Sequence, residues 1–187
     1  MKKLKLLTFL LLLSSISFSQ GKKKLIKEGN KLYNDSSYNL AEMKYRKSLE
    51  KDQGYFNASF NLADAVYKQE RYEESTSFFE SLKDNARNDQ ELANINHNLG
   101  NSLLKENKID LAIEAYKTSL RINPNDEDTR YNLAYAQKMK QQQDQKEQQQ
   151  DQKEQQQDQK EQQQDQKEQQ QDQKEQQQDQ KKEEMSK

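Results

Sequence analysis

Between residues 22 and 140, apolar side chains recur every three or four positions, in blocks separated by short polar breaks. That is the period of helices that bury one face. The breaks read NDSS (34–37), QERY (69–72) and ENK (106–108). Each joins two amphipathic blocks, so the pattern predicts helix hairpins and an all-α chain.

The hairpins are copies of one another. A small residue opens each at Gly29, Ala63 and Gly100, and a fourth start follows at Ala134, in steps of 34, 37 and 34. Twelve positions after each of the first three stands another small residue (Ala41, Ser75, Ala112), and four further on an aromatic (Tyr45, Phe79, Tyr116). Antiparallel helices approach closely only where a side chain is small, which places Gly29 and Ala41 at the crossing of one hairpin. Tyr45 and Leu49 are then expected to fill the groove to the next. A lone hairpin cannot bury its apolar face, whereas stacked hairpins can. The stretch SLKDNARNDQEL (81–92) carries the three extra residues of the long step, so a longer helix or loop is expected there.

This spacing resembles the tetratricopeptide repeat, whose pattern runs L-G-x2-Y, A-x3-F and a closing P. The third copy fits best, with Leu99, Gly100, Leu103, Ala112, Tyr116 and Pro124. The family's opening Trp is replaced by Leu25, Ser59 and Asn96, and two closing prolines are missing. The resemblance implies a right-handed superhelical solenoid: repeats at 22–55, 56–89 and 93–126, then a capping helix at 127–140.

Residues 1–21 carry three Lys and no acid, residues 22–140 carry 20 basic and 19 acidic side chains, and residues 141–187 carry 8 and 13. The near-neutral middle gives no electrostatic reason to expect nucleic acid. With no Cys and the single His97, thiol chemistry and the usual metal spacings are absent. No Ser-His-Asp or Cys-His constellation is legible, so neither catalysis nor a cofactor nor a small-molecule substrate is expected.

The start reads MKKLKLLTFLLLLSSISFSQ. Lysines, a short apolar run and small residues Ser17 and Ser19 form the three parts of a secretory signal, predicted over 1–19. The expected location is periplasmic or otherwise exported, with an uncleaved membrane anchor as the alternative. The far end repeats QQQDQKE five times over 141–175 and breaks off at Lys181. Seven is a coiled-coil period, but no heptad position is apolar, so no seam can be buried. Like charges at Asp144, Glu147 and Asp151 oppose a helix slightly. The tail is expected to be a disordered or single-helix spacer, with Gln-mediated self-association as the alternative.

Family resemblance implies a protein-binding groove lined by the first helix of each pair. Carried onto this chain, it comprises Lys27, Asn30, Tyr33 and Asn34; then Asn57, Phe60, Asn61, Asp64 and Tyr67; then Asn94, His97, Asn98, Asn101 and Lys105; and Tyr131, Asn132 and Tyr135 from the cap. Asn61, Asn98 and Asn132 share one repeat position, and an amide both donates and accepts, as holding a peptide backbone requires. Some relatives clamp a partner's terminal carboxylate with cations and Asn. Here Asn30 and Asn61 match two clamp positions, but Ile26, Asn94 and Asn98 stand where cations are needed, so that clamp is not expected.

The layout of signal, three repeats, the cap NPNDEDTRYNLAYAQ and a Gln-rich tail resembles the BatC-type family of the Bacteroides aerotolerance operon. That resemblance implies a non-enzymatic periplasmic adaptor in a membrane-linked, stress-related complex. Membrane-anchored von Willebrand A domain proteins would be its partners, with a MoxR-type ATPase among the operon's neighbours. A self-associating structural envelope protein is the alternative.

Overall fold

The computed structural model describes residues 21–154, which are helices joined by short turns. The expected signal, and the tail beyond 154, lie outside the described residues. Helix α1 covers 21–34, α2 Tyr38–Lys51, α3 Phe56–Lys68, α4 Tyr72–Leu82, α5 Asp89–Lys105 and α6 Ile109–Ile122, and α7 starts at 127. The chain forms two compact units that divide between 140 and 141. The first holds three hairpins, α1–α2, α3–α4 and α5–α6, and then α7 alone, the expected arrangement. In the second, 141–154 are helical.

The three hairpin turns are built alike. Ser36, Glu70 and Asn107 have φ of 57°, 63° and 61°, and they stand at the same position of successive repeats. Each first helix closes with two backbone bonds: Ser36 N–H to Tyr33 O and Ser37 N–H to Leu32 O, then Glu70 to Tyr67 and Arg71 to Val66, then Asn107 to Leu104 and Lys108 to Leu103. This left-handed cap satisfies the helix's last carbonyls and reverses the chain within three residues. The second helices, α2, α4 and α6, start without a side-chain cap bond. By contrast, α5 begins with Asn88 Oδ1 accepting from Glu91 N–H at 2.9 Å, and α7 with Asp126 Oδ1 accepting from Thr129 N–H at 3.0 Å.

The extra residues before the third repeat become both a turn and a helix extension. Helix α4 stops at Leu82, a 3-10 turn spans Lys83–Asn85, and α5 runs for 17 residues from Asp89, against 13 in α3. Arg87 ties this connection down. Its guanidinium lies 4.9 Å from the Phe56 ring centroid, donates to Asn57 Oδ1 at 2.9 Å and pairs with Glu91.

Tyr45 packs into the apolar cluster shared with the next hairpin, as does Leu49, and its ring also lies on Gly29 of its own hairpin. A β-carbon at 29 would come within 2.5 Å of Tyr45 Cε1, and one at 100 within 2.5 Å of Tyr116 Cε1. In the middle hairpin Ala63 and Phe79 take these places, both fully buried. Apolar burial falls into two clusters. One, around Ile26, Tyr45, Leu62 and Val66, joins the first two hairpins; the other, around Phe56, Phe79, Leu99 and Tyr116, runs on to Ala136 of α7. Phe78 packs against both.

A closed ring of charges also joins the first two hairpins. Glu42 accepts from Arg46 and Arg71 at 2.7 Å each, and both arginines also bind Glu74. Burial alone would raise the Glu42 pKa, but hydrogen bonds from Gln69, Arg46 and Arg71 hold it below the ordinary value.

In the second unit, Gln143 Nε2 donates to Glu147 Oε1 at 2.9 Å, and Gln150 to Glu154 at 3.1 Å. These i,i+4 amide–carboxylate bonds recur once per heptad and favour the helix. The sequence reading considered only charge pairs and missed them.

Candidate functional site

Polar side chains bond directly from one first helix to the next in two places, from α3 to α1 and from α7 to α5. Tyr45 O–H donates to Asn30 Oδ1 at 2.9 Å, and Asn61 Nδ2 donates to the same oxygen at 2.8 Å. Two repeats on, Tyr116 O–H donates to Asn101 Oδ1 at 2.8 Å and Asn132 Nδ2 to the same oxygen at 2.9 Å. Each module therefore takes one residue from a first helix, one from the second helix of the same hairpin, and one from the next first helix.

The module also fixes which polar groups remain for a ligand. The oxygen of Asn30 holds two donors, so its NH2 group is left to donate. Asn61 spends an N–H, so its carbonyl is left to accept. The same division holds for Asn101 and Asn132. A donor and an acceptor held by adjacent helices match the alternating groups of an extended peptide backbone.

The middle module is missing. Phe79 has no hydroxyl, Asp64 stands where Asn30 and Asn101 stand in their repeats, and Asn98 has no side-chain hydrogen-bond partner among the described residues. Asp64 instead faces the same recess as Tyr33, and burial followed by this carboxylate pushes the Tyr33 pKa up. Burial likewise pushes the Tyr45 hydroxyl up to about 12, so both phenols are protonated donors at neutral pH.

Two recesses open on this face. One, of about 220 Å³, is lined by Asn30, Tyr33, Asn34, Tyr45, Asn61 and Asp64. The other, of about 460 Å³, is lined by Tyr67, Lys68, Asn101, Leu104, Lys105, Tyr116, Tyr131, Asn132 and Tyr135. Tyr131 and Tyr135 are 73% and 52% exposed, the most exposed aromatic rings among the described residues. A larger recess of about 500 Å³ lies by the turns, but several of its charges already pair with one another, Arg71 with Glu74 and Lys108 with Glu106.

The remaining expected groove residues fall outside both recesses. Phe60 is partly buried and packs against the core, its ring 5.5 Å from that of Phe79. Asn57 is taken by Arg87, and Asn94 accepts from Gln90 of its own helix at 2.9 Å. Lys27 is exposed on α1.

His97 is half-buried, with Nδ1 2.6 Å from Thr129 Oγ1, whose hydroxyl in turn donates to Asp126 Oδ2 at 2.6 Å. A carboxylate only accepts, so the hydroxyl proton goes to Asp126 and His97 Nδ1 carries the proton given to Thr129. His97 thus holds α7 to α5. Among the described residues no group of three or more His, Asp or Glu could hold a metal ion, and no helix is long and apolar enough to cross a membrane.

Sequence reasoning missed Lys68, Leu104, Tyr45 and Tyr116 as lining residues. Lys68 was recoverable, since it stands at the repeat position of Lys105. Tyr45 is expected from the sequence to fill between helices, and Tyr116 stands at its repeat position; that role does not reveal that both hydroxyls reach the first-helix face.

Residues 26–90 match the family model described as "Tetratricopeptide repeat", and 100–141 the one described as "TPR repeat". No curated protein matches the chain. Solved structures that do resemble it include the first TPR of Spaghetti (RPAP3) bound to the HSP90 peptide SRMEEVD. Its TM-score is 0.60 at 20% identity, covering 65% of this chain and 94% of that one. The Sgt2 TPR domain from Aspergillus fumigatus gives 0.61 at 17%, covering 66% and 82%. MamA from Desulfovibrio magneticus RS-1 gives 0.59 at 20%, covering 64% and 66%. At these identities the likeness is one of fold. Two family matches that together span more than half of the residues, on hairpins that repeat the same turn and the same pairing of a small residue with an aromatic ring, place this chain in the tetratricopeptide-repeat family.

Proposed function

We propose that the chain is a non-enzymatic adaptor that holds an extended segment of a partner protein along its first-helix face. One observation carries this reading: two asparagine–tyrosine modules each leave one amide donor and one carbonyl acceptor on adjacent helices. Structural relatives bound to HSP90 and HSP70 peptides support a protein ligand on this fold. The carboxylate clamp is not carried over, because Ile26, Asn94 and Asn98 supply no cations.

The setting we propose is the periplasm, with export directed by residues 1–19. The partners would be membrane-anchored von Willebrand A domain proteins of an aerotolerance or stress-related complex, on the strength of the BatC-type layout. Site-specific photocrosslinking in the full chain tests this. A photoreactive residue at Tyr135, on the first-helix face, should give adducts with membrane proteins of the envelope. The same residue at Leu111, exposed on α6, should not. Adducts from 111 alone would refute the face. Adducts only between copies of this chain would favour the self-associating structural alternative.

A further inference from the structure

The two recesses differ in charge. The α1–α3 recess holds the carboxylate of Asp64, whereas the recess of α3, α5 and α7 holds Lys68 and Lys105. Both lysines occupy one repeat position on neighbouring first helices, both are exposed, and neither is ion-paired among the described residues. Tyr67 lies beside Lys68, its ring centroid 5.8 Å from the ammonium nitrogen, and exposed Tyr131 and Tyr135 line the recess with them.

Resting on the protein-binding reading above, we propose that this recess takes an internal acidic segment of the partner in a polyproline-II-like conformation, with two carboxylates three residues apart. Charge complementarity selects acid here. Geometry selects the spacing: packed helix axes lie about 8–10 Å apart, and one three-residue turn of polyproline II rises about 9 Å. Such a backbone has no internal hydrogen bonds, which leaves its groups for the free N–H of Asn101 and the free carbonyl of Asn132. The tyrosines supply flat apolar walls for the residues between the acids. A single chain-terminal carboxylate would satisfy one lysine and leave the other.

Fluorescence anisotropy on the full chain tests this with three amidated nonapeptides carrying a neutral dye: (Glu-Ala-Pro)3, (Gln-Ala-Pro)3 and (Lys-Ala-Pro)3. The Glu peptide should bind about fivefold to tenfold more tightly than the Gln peptide, as two half-exposed ion pairs give, and the Lys peptide most weakly. K68Q/K105Q should bring the Glu peptide down to the Gln peptide, with an unchanged melting temperature showing that the fold is intact. K47Q, at an exposed lysine of α2 outside both recesses, should leave their ratio unaltered. Equal binding of Glu and Gln peptides, or a preference that survives K68Q/K105Q, overturns the acidic assignment but leaves the protein-binding face standing. Binding that requires a free C-terminal acid overturns the internal segment. If no peptide binds at about 1 mM, both the assignment and the protein-binding face fail.

Discussion

Tyr116 lies so close over Gly100 that a β-carbon at 100 would stand 2.5 Å from Cε1 and 2.6 Å from Cδ1. The same ring then spends its hydroxyl on Asn101, the next residue along α5. Gly100 therefore lets the ring in, and Asn101 holds it there.

Replacing glycine by alanine inside a helix normally stabilises by about 1 kcal/mol. Here the sign should reverse. Gly29→Ala and Gly100→Ala should each cost about 1–3 kcal/mol through overpacking, read as a fall in melting temperature. A rise in either would mean that the ring yields easily and that the close contact does not define the repeat.

Glu70 has a left-handed backbone at φ 63°, a conformation that costs a residue with a β-carbon about 1–2 kcal/mol. Its side chain is exposed. Glu70→Gly should raise stability by up to about 1 kcal/mol. Asn107→Gly should gain less, because Asn tolerates this region. Chemical denaturation of the two variants gives the comparison, and a loss on Glu70→Gly would show that the Glu side chain stabilises the turn.

Burial lowers the His97 pKa from its ordinary value, and Asp126 and Asp128 offset only part of that. As pH falls through about 6.5, the unfolded chain takes up its proton before the folded one does. Stability should therefore decline from about pH 6.5 down to the lower folded value. His97→Gln should flatten the melting temperature in that window. The Asp126 carboxyl, held below 3.8 despite burial by its bonds to Thr129, should act only at still lower pH, where its contribution is lost as it protonates. An unchanged slope in the His97 variant would place the titration elsewhere.

Removing residues 141–187 should shift the melting of the repeats by less than about 2 °C, since the repeats form a compact unit of their own ending at Lys140. A larger fall would show that the tail stabilises them.

The hairpins were legible in the sequence because their cause is local: period, polar breaks and small residues at fixed intervals. The site was legible only in part. Asn61 and Asn132 are where the repeat register placed them, but each already spends an N–H on the asparagine of the preceding first helix. Asn98 occupies the same position without such a bond, because Phe79 and Asp64 break the pattern across the hairpin. Phe60 illustrates a limit of another kind. An aromatic on a first helix can face the groove or the core, and only the position of Phe79 decides it.

Phe78 has a wider consequence. It is the side chain shared by two apolar clusters, one for each end of the array. Helix α3 joins the same clusters, giving Ala58, Leu62, Ala65 and Val66 to one and Phe56 and Ala63 to the other, so the two are coupled along its length. Its Asn61 and Asp64 line one recess, and its Tyr67 and Lys68 line the other. A partner gripping both recesses would brace a single shared helix, and its grip would be felt as slower hydrogen exchange along α3.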